Sequence, residues 1–290
     1  YINFLFPPKS VLEVGCQNGY LLYELYKRGA KKLIGIEPSP QIPFVKDDFK
    51  ATIYNEFFDH NRFEKESIDS IISLFVLEHL QNPADYLKSL ARVLTKNGQI
   101  IIAIPNASFQ MLMGDPGLFM HEHISHFTIL SLRNIFSLAG LRIVNYSETK
   151  SDIYLVSQKE NNNIPGLISP KSSGSSDPLI TYNSVLKKIL IRFKSNFNNE
   201  STVGLWGACP TSANLINLSA ITNYVAFDGD PSKQKNKISG INGTIMRPSY
   251  ANLKGLVDIT TVIPLGYQKM IGKILKEYKV PFFHLFNSNL

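Results

Sequence analysis

Short apolar runs bounded by Gly, Pro, Asn or charged residues alternate with stretches that repeat apolar residues at helical spacing. Val11, Leu12 and Val14 open the series as a buried strand, and Gly15 to Gly19 read as a tight turn. Leu21, Leu22 and Leu25 then predict a helix that stops at Arg28-Gly29. Further strands are expected at 32–36, 51–58, 67–75 and 98–104, with helices at 83–94 and 131–140. Strand 67–75 is continuously apolar after Asp69, as a strand covered on both faces should be. Strands 141–146 and 153–158 follow with a short link, as an antiparallel hairpin would. The pattern predicts a seven-stranded, doubly wound α/β sheet.

Residues 160–178, ENNNIPGLISPKSSGSSDP, have little to bury and mark a boundary. A basic amphipathic helix, 179–197, reads as a packed connector with a solvated face. A second strand, turn and helix begin at Thr202, with Gly204 and Gly207, and a strand at 224–227 ends in Asp228. Strand 258–263, helix 265–278 and strand 281–286 complete a smaller Rossmann-like α/β unit. The expected organisation is a first domain at 1–159, a linker and connecting helix at 160–200, and a second domain at 201–290. Pro210 in the second turn favours a packing role for that unit over a second nucleotide site with Asp228 on a ribose.

The 290 residues are enough for two cores, and 44% hydrophobic with 18% charged residues is a globular balance. The net charge of +7 is spread out, with no basic tract interleaved with aromatics. That argues against nucleic acid and fits a small anionic substrate. Cys16 and Cys209 make neither a disulfide framework nor a zinc site. No run is long enough for a membrane span and no signal peptide opens the chain, so the expected compartment is the cytoplasm. The chain starts at Tyr1 and reaches a core strand almost at once, so a helix or small domain is expected upstream.

The first turn carries the chemistry. A helix that opens just after a parallel strand offers free N–H groups and partial positive charge. Glu37, at the end of the second strand, can accept hydrogen bonds from both hydroxyls of a ribose. A dinucleotide fingerprint needs glycine where Gln17 stands, and a bulky residue there obstructs a pyrophosphate. Glu13 with Gly15 and Gly19 fits E-x-G-x-x-x-G, the pattern of a site for S-adenosylmethionine. Cys16, Gln17, Pro38 and Val76 are placed beside that cofactor, and Phe58 and Phe75 either flank its adenine or belong to the core.

VLEVGCQNGYLL, GIEPS, VLEH and HEHISHFTILSLRNIFSLAGL resemble the sugar C-methyltransferase family that acts on nucleotide-linked ketosugars, as do WGA and DGDPSKQ near the second turn. The resemblance implies a class I methyltransferase in carbohydrate biosynthesis, acting on a sugar-like or nucleotide-linked small molecule. The chain departs from the family at four points. The zinc domain is absent, a tyrosine before H-E-H falls on Met120, and a lysine in the second turn falls on Thr211. The His-Gly-Gly-Ser stretch of the family is also replaced around Ser151 to Tyr154. O- or N-methylation of another metabolite is the alternative, and an NAD(P)-dependent oxidoreductase a more distant one.

Methyl transfer needs alignment and a deprotonated acceptor. His121, His123 and His126 lie in one loop after the fifth strand, and His79 after the fourth. His123 matches the functional histidine of the resembled family and is the candidate base. Glu122 is expected to orient an imidazole or take the proton itself. His-x-His with a carboxylate could also hold a divalent ion, but the loop fixes no geometry, and the reading assigns no metal ligand. Thr128 is read as a structural element before the helix that follows.

Overall fold

The computed structural model describes residues 4–40, 44, 48–160, 178–234 and 239–286. The chain divides into two units, Tyr1–Ser108 with His121–Ser173 and Phe109–Met120 with Gly174–Leu290. The second unit thus takes in a segment, Phe109–Met120, that the sequence places within the first domain.

In the first half of the chain the elements are β1 (Ser10–Val14), α1 (Tyr20–Lys27), β2 (Lys32–Ile36), β3 (Thr52–Tyr54), β4 (Ile68–Leu74), α2 (Pro83–Val93) and β5 (Leu94–Pro105). They continue as α3 (Ala107–Met113), α4 (Ile129–Leu138), β6 (Leu141–Glu148) and β7 (Asp152–Lys159). The sheet order is β3-β2-β1-β4-β5-β7-β6, parallel except for β7, which runs antiparallel to both neighbours. Successive residues of β1 alternate between layers. Leu12 and Val14 join one core with Ile34, Ile71 and Ile102, while Val11 joins the other with Leu33, Ile72 and Ile101. The seven-stranded Rossmann-like fold expected from the sequence is the fold observed.

Two expectations need correction. The third strand pairs only over Thr52–Tyr54, because Phe57 is 81% exposed and Phe57-Phe58 lies beyond the paired strand. Helix α3 was not expected. Its Met113 packs in the second unit with Phe193 and Leu205, a long-range partnership invisible to local periodicity. Thr128 does cap α4: its hydroxyl accepts the Ser131 N–H at 3.2 Å, and Ser131 Oγ accepts the Thr128 N–H at 2.9 Å.

The second unit contains α5 (Pro178–Lys194), β8 (Val203–Trp206), α6 (Pro210–Ser219), β9 (Tyr224–Phe227), α7 (Tyr250–Leu256), β10 (Ile259–Val262), α8 (Gln268–Glu277) and β11 (Phe282–His284). Its four-stranded sheet is parallel, ordered β11-β10-β8-β9. Here the groups of the glycine turn are used internally. Ala208 N–H donates to Asp228 Oδ2, Cys209 N–H to Ser212 Oγ, and Thr211 Oγ1 to Asp115 Oδ1. Burial pushes the Asp115 carboxyl pKa up. Among the described residues no helix is long and apolar enough to cross a membrane.

Candidate functional site

The carboxyl ends of β1, β2 and β4 surround a cavity of about 830 Å³ in the first unit. Gly15 ends β1 at φ 78, and a β-carbon there would come within 2.7 Å of Val76 Cγ2. Glycine is therefore required twice over, for the left-handed backbone and for space. Gln17 and Phe75, which both line the cavity, also adopt left-handed backbone, at φ 49 and 56. A non-glycine residue held in that conformation stores backbone strain in the cavity wall.

Glu37 is buried and held from two sides. Its Oε2 accepts the Gln17 N–H at 3.0 Å and its Oε1 the Ser39 N–H at 2.9 Å. A carboxylate has about four lone-pair positions, so these bonds aim it and leave acceptors for two hydroxyls. Glu13, which also lines the cavity, is buried, and its Oε2 has no hydrogen-bond partner. Burial, and then the charge of Glu37, pushes its carboxyl up to about 8. Burial, with Glu13 and Glu37 after it, pushes the Cys16 thiol up to about 12, so that sulfur is an inert wall. Glycine backbone, a fixed diol acceptor and an orphaned buried carboxyl oxygen together fit the nucleoside and the cationic tail of S-adenosylmethionine.

The Glu13 shift has a measurable consequence. A carboxyl whose native pKa is raised stabilises the fold fully below its unfolded value of 4.5, and that contribution is lost as pH rises to about 8. Glu13→Gln is therefore expected to raise the melting temperature by roughly 5 °C at pH 8.5 and by ~1 °C or less at pH 5. Equal differences at the two pH values would show that Glu13 is not held neutral.

At the other end, a short 3₁₀ turn, Leu77–His79, carries Glu78 and His79, and the loop before α4 brings His123 beside them. The His79 and His123 rings are 5.0 Å apart, and His126 lies 6.3 Å beyond His123. His79 Nδ1 meets the Glu122 carbonyl oxygen at 2.7 Å. A carbonyl only accepts, so Nδ1 carries the proton and Nε2 keeps its lone pair. Burial, and then His79 and His126, lowers the His123 pKa, so its imidazole is neutral at physiological pH. Glu78 is 2% exposed, and neither carboxylate oxygen has a hydrogen-bond partner.

Of the residues expected around the cofactor, Glu13, Gly15, Cys16, Gln17, Glu37, Pro38, Phe58, Phe75 and Val76 line the cavity. Gly19 does not: it caps α1 at φ 85, and the space over its α-carbon is taken by Ile53 at 2.9 Å. Phe58 serves cavity and core at once, with Phe63 and Tyr86 each 5.9 Å away, while Phe75 is 43% exposed. Glu122 also lines the cavity, but its carboxylate is exposed and 3.8 Å from His121. The imidazole that Glu122 meets is His79, through its backbone carbonyl and not through the side chain. Sequence reading missed Glu78 as a site residue, and Asn18 and Tyr20 as walls; the VLEH motif was the available signal for the first.

Comparison with known proteins adds the family. Residues 1–146 match a family described as Methyltransferase domain. The tRNA U34 carboxymethyltransferase of Sulfurimonas denitrificans is 34% identical over 106 residues, 34% of this chain and 36% of that protein. The tRNA U34 carboxymethyltransferase of Aliarcobacter butzleri is 39% identical over 100 residues, 32% of this chain and 33% of that protein. The chain thus spans only about a third of the length of these relatives. An S-adenosylmethionine-dependent methyltransferase structure from Mesorhizobium loti matches 52% of this chain and 90% of that one, at 13% identity and a TM-score of 0.44. The relatives overturn the expected sugar-like or nucleotide-linked small acceptor, the finer resemblance to sugar C-methyltransferases, the place in carbohydrate biosynthesis and the exclusion of nucleic acid. Both are named for a tRNA.

Proposed function

We propose, from the premise that this chain belongs to the methyltransferase domain family, that it methylates a base in RNA, with tRNA the first substrate to test. The chain is a class I enzyme that uses S-adenosylmethionine. The observation that carries the RNA reading is the tRNA in the names of its relatives. The charge of +7 agrees with a polyanionic acceptor. So does α5, which exposes Lys187, Lys188 and Lys194 while burying Tyr182, Ile189 and Phe193. An RNA-modifying role also suits the cytoplasm.

We assign methyl as the transferred group. A carboxymethyl donor adds a carboxylate that needs a cationic side chain. The cavity lining has Glu13, Glu37 and Glu122 and, among the described residues, no lysine or arginine. Bound S-adenosylmethionine supplies an electrophilic methyl carbon on a sulfonium. The protein's part is to hold the ribose on Glu37, shield the reacting end behind Phe75 and Phe58, and present the acceptor from the side of His79 and His123.

The test is incubation with methyl-labelled S-adenosylmethionine and unmodified tRNA, followed by nuclease digestion and nucleoside analysis. Label in a single nucleoside is the expected result. Cofactor binding without label in any RNA would remove the RNA acceptor and leave the cofactor assignment standing.

A further inference from the structure

The buried pair of oxygens on Glu78 has no role in the cofactor pocket as described. A carboxylate removed from water without hydrogen bonds is costly, and such orphans in a folded protein point to a missing counter-ion or proton. One donor atom from each of Glu78, His79 and His123 lies within 4.8 Å of the others. An ion with bonds of 2.0 to 2.1 Å sets tetrahedral donors roughly 3.4 Å apart, so only small side-chain movements are needed.

We infer that Glu78, His79 and His123 form a site for a divalent transition-metal ion at the edge of the cofactor cavity. Two observations carry the assignment independently of the Glu78 orphan. The His79 tautomer is fixed by the Glu122 carbonyl at 2.7 Å, which is the outer-shell support that metal-binding histidines use, and it leaves Nε2 for the ion. His79 also lines the cavity, so an ion held there would border the space assigned to the cofactor and could take an oxygen or nitrogen of the acceptor. Two imidazoles and one carboxylate suit Zn²⁺, Fe²⁺, Mn²⁺ or Co²⁺ over Mg²⁺ or Ca²⁺. In this assignment His123 is a ligand in place of the free base expected from the sequence. The inference rests on the methyltransferase reading of the neighbouring pocket only for what the ion does, not for its binding.

The experiment is a titration of the full, tag-free and chelator-treated chain with Co²⁺, read by visible absorption, with S-adenosylhomocysteine titrated into the same preparation. About one Co²⁺ per chain is expected, with affinity at least ~100-fold lower in His79→Ala and His123→Ala and in the near-isosteric Glu78→Gln. His79 is exposed, so its alanine variant keeps the fold whatever Glu78→Gln does. Absence of Co²⁺ binding in the parent, or equal affinity in His79→Ala, would overturn the site. S-adenosylhomocysteine binding without Co²⁺ sinks the metal alone, and Co²⁺ without S-adenosylhomocysteine sinks the cofactor reading alone.

Discussion

His123→Ala is expected to lower methyl transfer to the proposed RNA acceptor by ~100-fold or more and leave affinity for S-adenosylhomocysteine within about twofold. The separation follows from placement. His123 does not line the cavity, and its ring lies 5.0 Å from that of His79, which does. Removing the imidazole therefore leaves the adenine, ribose and tail contacts untouched. In the proposed function it deletes a group on the acceptor side, one that serves there as base or as metal ligand. Single-turnover transfer of labelled methyl, beside calorimetric titration with S-adenosylhomocysteine, reads both arms. Equal transfer by parent and variant would remove His123 from the reaction, and a parallel loss of cofactor affinity would place it in the wrong half of the site.

Glu37→Ala is expected to act in the opposite sense, weakening S-adenosylhomocysteine binding by ~10–100-fold. Hydrogen bonds to a charged group contribute about 1.5–3 kcal/mol, and two ribose hydroxyls converge on this carboxylate in the reading given above. A second loss adds to the first. Gln17 N–H and Ser39 N–H both donate to Glu37 and are orphaned in the variant. Gln17 already holds a left-handed conformation, so the turn loses the bond that fixes it. Glu37→Gln keeps the shape but turns an amide nitrogen toward one of those N–H groups, and an intermediate loss is expected. Unchanged affinity in both variants would take Glu37 out of the ribose site.

The cofactor half of the molecule was legible because its determinants are local. The strand, glycine turn and helix lie in residues 11–28, and Glu37 follows at the end of the next strand. Gly19 shows the limit of spacing. It occupies the position that the motif reserves for a ligand, yet its face is filled by Ile53, a residue whose arrival depends on the register of β3 beside β2. Glu78 shows a second limit. A glutamate between Leu77 and His79 reads as an ordinary polar residue after a strand. Only the 3₁₀ turn, packed with its carboxylate inward, reveals the burial. The acceptor was the least legible part. Charge spread along the chain gives no patch to read, and the histidine loop names residue types without fixing which of them meet.

The segment Phe109–Met120 has a consequence for how the chain is made. Thr211 Oγ1 reaches Asp115 across 96 positions of sequence, and Asn214 Nδ2 donates to the carbonyl oxygen of Pro116. Met113 and Leu118, both buried in the finished protein, leave the ribosome long before α6 does. At about 5–20 residues per second, the nascent chain carries that apolar segment unpartnered for roughly 5–20 seconds. The cofactor unit can close its sheet during this interval, while the segment waits for a partner still being translated. A chaperone that covers the segment during this interval keeps buried-to-be apolar surface out of aggregation.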